Sequence, residues 1–184
     1  MVNRRNYLML LFVAICSVLS VNAQDIKLYR FVCRDAGQSN TKHALFHNTD
    51  NNKAVTTIIQ SDNLESSNYT EMFIVKRQSN TGFVLIASAK KPEMFLKHNT
   101  VTGELIYAPL GDSDDKTDYL WQFNFVGNSS ILISPKNSAD KALLVNNGNL
   151  GISELKGANN QPASASNNVA DKFTFKLEFI KNVL

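Results

Sequence analysis

The chain holds three histidines, and their spacing limits the metal or acid–base chemistry open to it. His43 and His47 stand four apart, and His98 follows about fifty residues later. Catalytic zinc takes three convergent His or carboxylate ligands and keeps one position open. The helical H-E-x-x-H spacing is absent, because Ala44-Leu45-Phe46 between the first two reads as strand. Along a strand, residues four apart share a face but lie ~13 Å from each other, too far to chelate one ion easily. No metal site is expected, and the imidazoles read as surface groups. The acidic run Asp112-Ser113-Asp114-Asp115 lacks the twelve-residue calcium loop with its distal glutamate, so it reads as a solvated loop. Lys90-Lys91 reads as a solvated basic turn. No spacing supports a Ser-His-Asp site, and no G-x-S-x-G elbow, P-loop or dinucleotide fingerprint occurs. The chain therefore reads as a non-enzyme, with no catalytic residue assigned and no cofactor expected.

The start of the chain has a different task. Arg4 and Arg5 precede an apolar run from Tyr7 to Leu19, and Val21-Asn22-Ala23 supplies small or apolar residues where a signal peptidase reads. Residues 1–23 are expected to be a secretory signal, cut between Ala23 and Gln24. The run is too short for a membrane span, which takes ~20 apolar residues. No later segment is apolar enough to insert, so a soluble extracellular product is expected. Residues 24–184 suit one domain with a sizeable core. Two of the 19 basic residues lie in the leader and none of the 16 acids does, so the remainder has 17 against 16, a net +1. That balance argues against nucleic acid as a partner. Cys16 falls in the leader, leaving Cys33 alone, so no internal disulfide can close. Cys33, within Tyr29-Arg30-Phe31-Val32-Cys33, reads as a small buried residue with a free thiol. Asn68-Tyr69-Thr70 and Asn128-Ser129-Ser130 are glycosylation sequons, making Asn68 and Asn128 candidate glycan carriers.

The elements that would carry these residues repeat. The stretch Gly82 to Ala108 holds an apolar run (Phe83 to Ala87), a turn with Pro92, Met94-Phe95-Leu96, a Thr102-Gly103 turn and Leu105-Ile106-Tyr107. These are short strands punctuated by turn signals. Ala44-Leu45-Phe46 stands about fifty residues before its centre and Ala142-Leu143-Leu144 about fifty after. Each unit closes on alternating apolar residues: Phe73 and Val75; Trp121, Phe123 and Phe125; Phe173, Phe175, Leu177 and Phe179. Alternation with period two marks a strand with one buried face. Asn147-Gly148 is the strongest hairpin signal, Thr102-Gly103 its counterpart in the middle unit, and Thr49-Asp50-Asn51-Asn52 a version without glycine. Residues 157–168, GANNQPASASNN, read as a long polar loop.

Three such copies fall short of the four blades a propeller needs. The chain resembles a β-trefoil: all-β, with three pseudo-repeats of about fifty residues, in units of about 25–78, 79–128 and 129–184. The resemblance implies a six-stranded barrel filled by Phe95, Leu96, Trp121, Phe123, Phe173 and Phe175. Gly82, Phe83 to Ile86, Phe95-Leu96, Gly103 and Leu105 resemble the fibroblast growth factor pattern. Ser88, Ala89, Pro92, Phe95-Leu96 and Ile106 resemble the interleukin-1 pattern. The likeness implies a secreted, non-enzymatic, cytokine-like ligand or antagonist of a cell-surface receptor, working through its loops. The stretch Asn146 to Gly157, matching the growth-factor heparin site, offers only Lys156 and includes Glu154, so heparin binding there is not expected. A lectin-like carbohydrate-binding module and an inhibitor of an extracellular enzyme are the alternative functions. The ricin-type Gln-x-Trp motif is absent, Trp121-Gln122 having the reverse order. The sequence alone assigns no binding site.

Overall fold

A computed structural model describes residues 26–34, 41–59, 69–112, 115–126, 130–155 and 173–183. The leader, Gln24, both sequon asparagines Asn68 and Asn128, and the polar run 157–168 lie outside the described residues. Twelve strands follow in order: β1 (Ile26–Arg34), β2 (Lys42–Asn48), β3 (Lys53–Ile58), β4 (Phe73–Arg77), β5 (Phe83–Ser88), β6 (Met94–His98), β7 (Leu105–Pro109), β8 (Trp121–Phe125), β9 (Ser130–Pro135), β10 (Lys141–Asn146), β11 (Asn149–Glu154) and β12 (Phe175–Val183). Two short 3-10 turns, Tyr69–Glu71 and Lys116–Tyr119, are the helical elements among the described residues. Neither is long and apolar enough to cross a membrane.

The pairing closes on itself. β1 pairs β4, β4 pairs β5, β5 pairs β8, β8 pairs β9, β9 pairs β12, and β12 returns to β1. This six-stranded barrel leaves no open edge among its own strands. The remaining strands form three hairpins, β2–β3, β6–β7 and β10–β11. Four strands fall in each third of the chain, and the molecule is a β-trefoil. The hairpin turns follow their residues: Asn147 and Gly148 both have positive φ, at 49° and 75°, as a type I′ turn requires. The first hairpin has Asn52 at φ 55° where the second has Gly103 at 74°, since asparagine tolerates the left-handed region.

Strand registers fix which positions correspond. Ser88 lies opposite Phe73, Pro135 opposite Trp121, and Cys33 opposite Phe175. Phe73, Trp121 and Phe175 are all fully buried, and Trp121 Nε1 donates to the Leu96 carbonyl at 3.0 Å. Leu45, Leu96 and Leu143 point inwards from the three hairpins, each fully buried. Cys33 is buried beside them, its Sγ 3.6 Å from the His43 carbonyl.

Two core expectations need correction, Phe95 and Phe173, while Phe123 packs against the barrel core but stays half-buried. Phe95 does not fill the barrel. Burial alternates along β6, so Leu96 points in and Phe95 packs outside, half-buried against Leu85, Tyr119 and Leu120. Phe173 lies just before β12 and is buried in a separate group with Leu132, Ala142 and Leu155. Phe123 is half-buried, set edge-on to Phe31 at 5.9 Å. Burial fades along β8 as it leaves the hairpin end, and Phe125 is 77% exposed.

Candidate functional site

All three histidines are buried, against the expectation of surface groups: His43 is 4% exposed, His47 0% and His98 8%. The reason is their position in the fold. Each sits on a hairpin strand that folds over the barrel end, where a side chain on the inward face meets the neighbouring unit.

Three seams arise where one unit's hairpin meets the next unit's barrel strand. In the first seam, His47 Nδ1 lies 2.8 Å from Ser88 Oγ and Nε2 lies 3.4 Å from Asn52 Oδ1. Asn52 Oδ1 only accepts, so the ring proton sits on Nε2 and Nδ1 accepts from the Ser88 hydroxyl. The ring also packs against Tyr107, centroids 4.2 Å apart and planes tilted by 33°. Ser-His-Asn is a nucleophile's composition, but His47 and Ser88 are both fully buried, so no substrate reaches this line. Lys91 is half-buried, not solvated as expected. Its Nζ donates to the Thr49 carbonyl at 3.2 Å and to Asn52 Oδ1 at 3.4 Å. The first seam is thus filled by its own side chains. It is also stitched by β3 and β7, where Lys53 lies opposite Ile106 and Tyr107 N–H donates to the Asn52 carbonyl at 2.7 Å.

The second seam has the same frame with smaller residues. His98 stands for His47, Thr100 for Thr49, Gly103 for Asn52 and Pro135 for Ser88. Ser138 stands for Lys91: the Lys141 N–H donates to the Ser138 carbonyl at 3.0 Å as the Met94 N–H does to the Lys91 carbonyl at 2.9 Å. The third hairpin, β10–β11, forms a sheet of its own and is not stitched to β7. The outcome is a pocket of about 650 Å³ lined by His98, Thr100, Gly103, Ser138 and, from the third hairpin, Lys141, Ile152, Ser153 and Glu154. Lys141 and Glu154 face each other across β10–β11. His98 Nδ1 is buried with no hydrogen-bond partner among the described residues, because proline replaces the serine that holds His47. Burial holds the His98 pKa below its ordinary value; the charge of Asp118 and the hydrogen bond the ring gives to Asn137 oppose this, and Lys141 adds to it. The third seam has Val145 and Cys33 at the His47 and Ser88 positions, and there the His43 ring lies against Gly148.

A second concavity, a groove of about 360 Å³, lies at the barrel end away from the hairpins. Tyr29, Phe83, Phe123 and Phe125 line it with Arg77 and Gln78. Tyr29 packs edge-on against Phe179, which is 51% exposed. Three lysines, one from each unit, lie over separate rings of the second unit: Lys76 over Phe95, Lys97 over Tyr119 and Lys136 over Phe83, at 4.9, 5.0 and 5.5 Å. Among the described residues no three His, Cys, Asp or Glu side chains gather as a metal site would need. Of the acidic run, Asp115 caps the 3-10 turn by accepting from the Thr117 N–H at 2.9 Å; Asp114 lies outside the described residues.

Sequence reading singled out His98 but placed it on the surface, and it missed Thr100, Ser138, Lys141 and Ser153. The available signal was the replacement of Ser88 and Lys91 by Pro135 and Ser138 at matching repeat positions.

No protein-family profile matches the chain, and no curated protein matches its sequence. Solved structures do. The designed 3-fold symmetric protein ThreeFoil is 14% identical with a TM-score of 0.58, over 82% of this chain and 97% of its own. A GlcNAcα1-4Gal-releasing endo-β-galactosidase from Clostridium perfringens is 12% identical with a TM-score of 0.60, over 84% of this chain. An arabinofuranosidase, complexed with arabinofuranosyl-α-1,2-xylobiose, is 12% identical with a TM-score of 0.60, over 85% of this chain. The likeness is one of fold. This chain spans about a third of the length of the two glycosidases, 33% and 32%.

Proposed function

We propose that the protein is an exported, non-enzymatic carbohydrate-binding module, lectin-like in action, with its ligand in the second-seam pocket. The pocket's lining carries the reading. Two hydroxyls from serine, one from threonine, an imidazole, an ammonium and a carboxylate converge on a concavity of about 650 Å³. Such a set of donors and acceptors suits a ligand dense in hydroxyl groups, and the volume suits one or two sugar rings. Two fold neighbours, an endo-β-galactosidase and an arabinofuranosidase, act on glycans, and the trefoil matches only about a third of each. Export rests on the leader, and N-terminal sequencing of protein from the medium should begin at Gln24. That protein, applied to a broad glycan array, should bind a defined set of glycans and be displaced by free sugar. A folded sample that binds nothing on the array removes the reading.

A second reading, the cytokine-like receptor ligand, draws on the other end of the barrel. Phe125, Phe179 and Ile26 are exposed there beside the aromatic groove, and exposed apolar patches mark protein interfaces. Specific capture of one receptor ectodomain, lost on Phe125→Ser, supports it; capture unaffected by that change removes this face as the interface.

A further inference from the structure

We infer that a neutral sugar enters the second seam along the path that the Lys91 side chain fills in the first, and that the module has one such site, not three. This rests on the carbohydrate reading. The first seam displays its own occupant: the Lys91 ammonium, a pure donor, is received by the Thr49 carbonyl and by Asn52 Oδ1. The second seam keeps the frame and removes the occupant. Ser138 is too short to reach across, and Gly103 has no side chain to meet it, so the Thr100 side of the pocket faces the cavity. A hydroxyl of the ligand donates to the Thr100 carbonyl as the lysine does to its counterpart. The His98 ring supports this independently. Ser88 locks His47 through Nδ1, whereas Pro135 leaves His98 Nδ1 buried and unpartnered. Such an atom is costly to leave unsatisfied, and a ligand hydroxyl that reaches it from the cavity satisfies it while Asn137 holds the other ring nitrogen. Lys141 and Glu154, register partners on β10–β11, both line the pocket, so their charges offset and favour a neutral ligand over an acidic one. Among the described residues, Lys91 and Asn52 fill the first seam, and the His43 ring lies against Gly148 in the third.

The test rebuilds the plug. Gly103→Asn with Ser138→Lys copies the first seam into the second. Asparagine suits the site because a Cβ at Gly103 meets nothing within 4 Å, and Asn52 already adopts the same backbone region. Calorimetry uses methyl glycosides of galactose, mannose and N-acetylglucosamine, with galacturonate as the acidic member. The protein should bind at least one neutral glycoside at one site per chain, and the double variant should lose it by roughly tenfold or more with its unfolding midpoint kept. Gly103→Asn alone, which changes less, should weaken binding in the same direction and serves if the double variant misfolds. Undiminished binding in the variants, three sites per chain, or binding of galacturonate alone would each overturn the inference while leaving carbohydrate binding intact. If no sugar binds here or on the array, both readings fall together.

Discussion

Trp121 concentrates more of the core in one side chain than any other residue. It is fully buried, and its indole N–H is spent on the Leu96 carbonyl across the hairpin end. Trp121→Ala should cost roughly 3–5 kcal/mol in denaturant unfolding, the range for large aromatic truncations; an unchanged midpoint would contradict its place in the core. The histidines set a pH dependence. Burial lowers the folded pKa of both His47 and His98 below 6.5. The unfolded chain therefore takes up protons below pH 6.5 while the folded one does not. Their stabilisation is full above pH 6.5 and is lost as pH falls from there through the depressed folded values. Glu71 acts in the opposite sense in a lower window, its pKa raised by burial from 4.5, with Arg30 opposing. Thermal midpoints should thus be level from pH 7 to 8 and decline below about 6.5; a midpoint that stays level on mild acidification would mean the imidazoles are solvated, and one that rises would mean their folded pKa values are raised. Period-two patterning told which residues share a face, but not which histidine lies under a hairpin. Residue type made them surface groups, and only the covering unit makes them core.

Among the elements, the hairpins were the most legible. Asn147-Gly148 signals a tight turn by residue type, and its two positive φ angles are what that pair is for. Gly148→Ala should cost about 1–2 kcal/mol, the penalty for a side chain in the left-handed region. The new Cβ would also come within 3.4 Å of His43 Cε1. Unfolding free energy equal to the parent's would show that the turn relaxes to another type. The marker triplets were legible only to within one position. Met94-Phe95-Leu96 aligns by composition with Ala44-Leu45-Phe46, yet burial aligns Leu96 with Leu45, since β6 buries alternate residues from Met94. That single step is why Phe95 was assigned to the barrel and packs outside it. The pocket was illegible for a related reason. It exists because Gly103 and Ser138 are smaller than Asn52 and Lys91, while Pro135 lacks the hydroxyl by which Ser88 holds His47; a missing group has no signature until the seams are superposed.

For the whole molecule, the three repeats were readable, whereas the meeting of units was not. Polyanion affinity needs a dense cationic cluster and weakens steeply with salt. Lys76, Lys97 and Lys136 stand over separate rings, and Lys53 pairs with Glu104 at 3.1 Å. The protein should leave a heparin column at or below roughly physiological salt, where screening lengths are ~8 Å; retention well above that salt would mean those three lysines act as one patch. The closure of the barrel carries a last consequence. β1 and β12 pair through eight residues each, and the Arg30–Glu178 ion pair on that seam joins positions 148 apart in sequence. No local segment can form this contact, so the loop entropy of nearly the whole domain is lost before the last strand docks. Folding should be slow, on the order of milliseconds to seconds. A chain emerging from a ribosome or a translocon would hold an unclosed barrel until its final strand is free, which leaves it threadable for export.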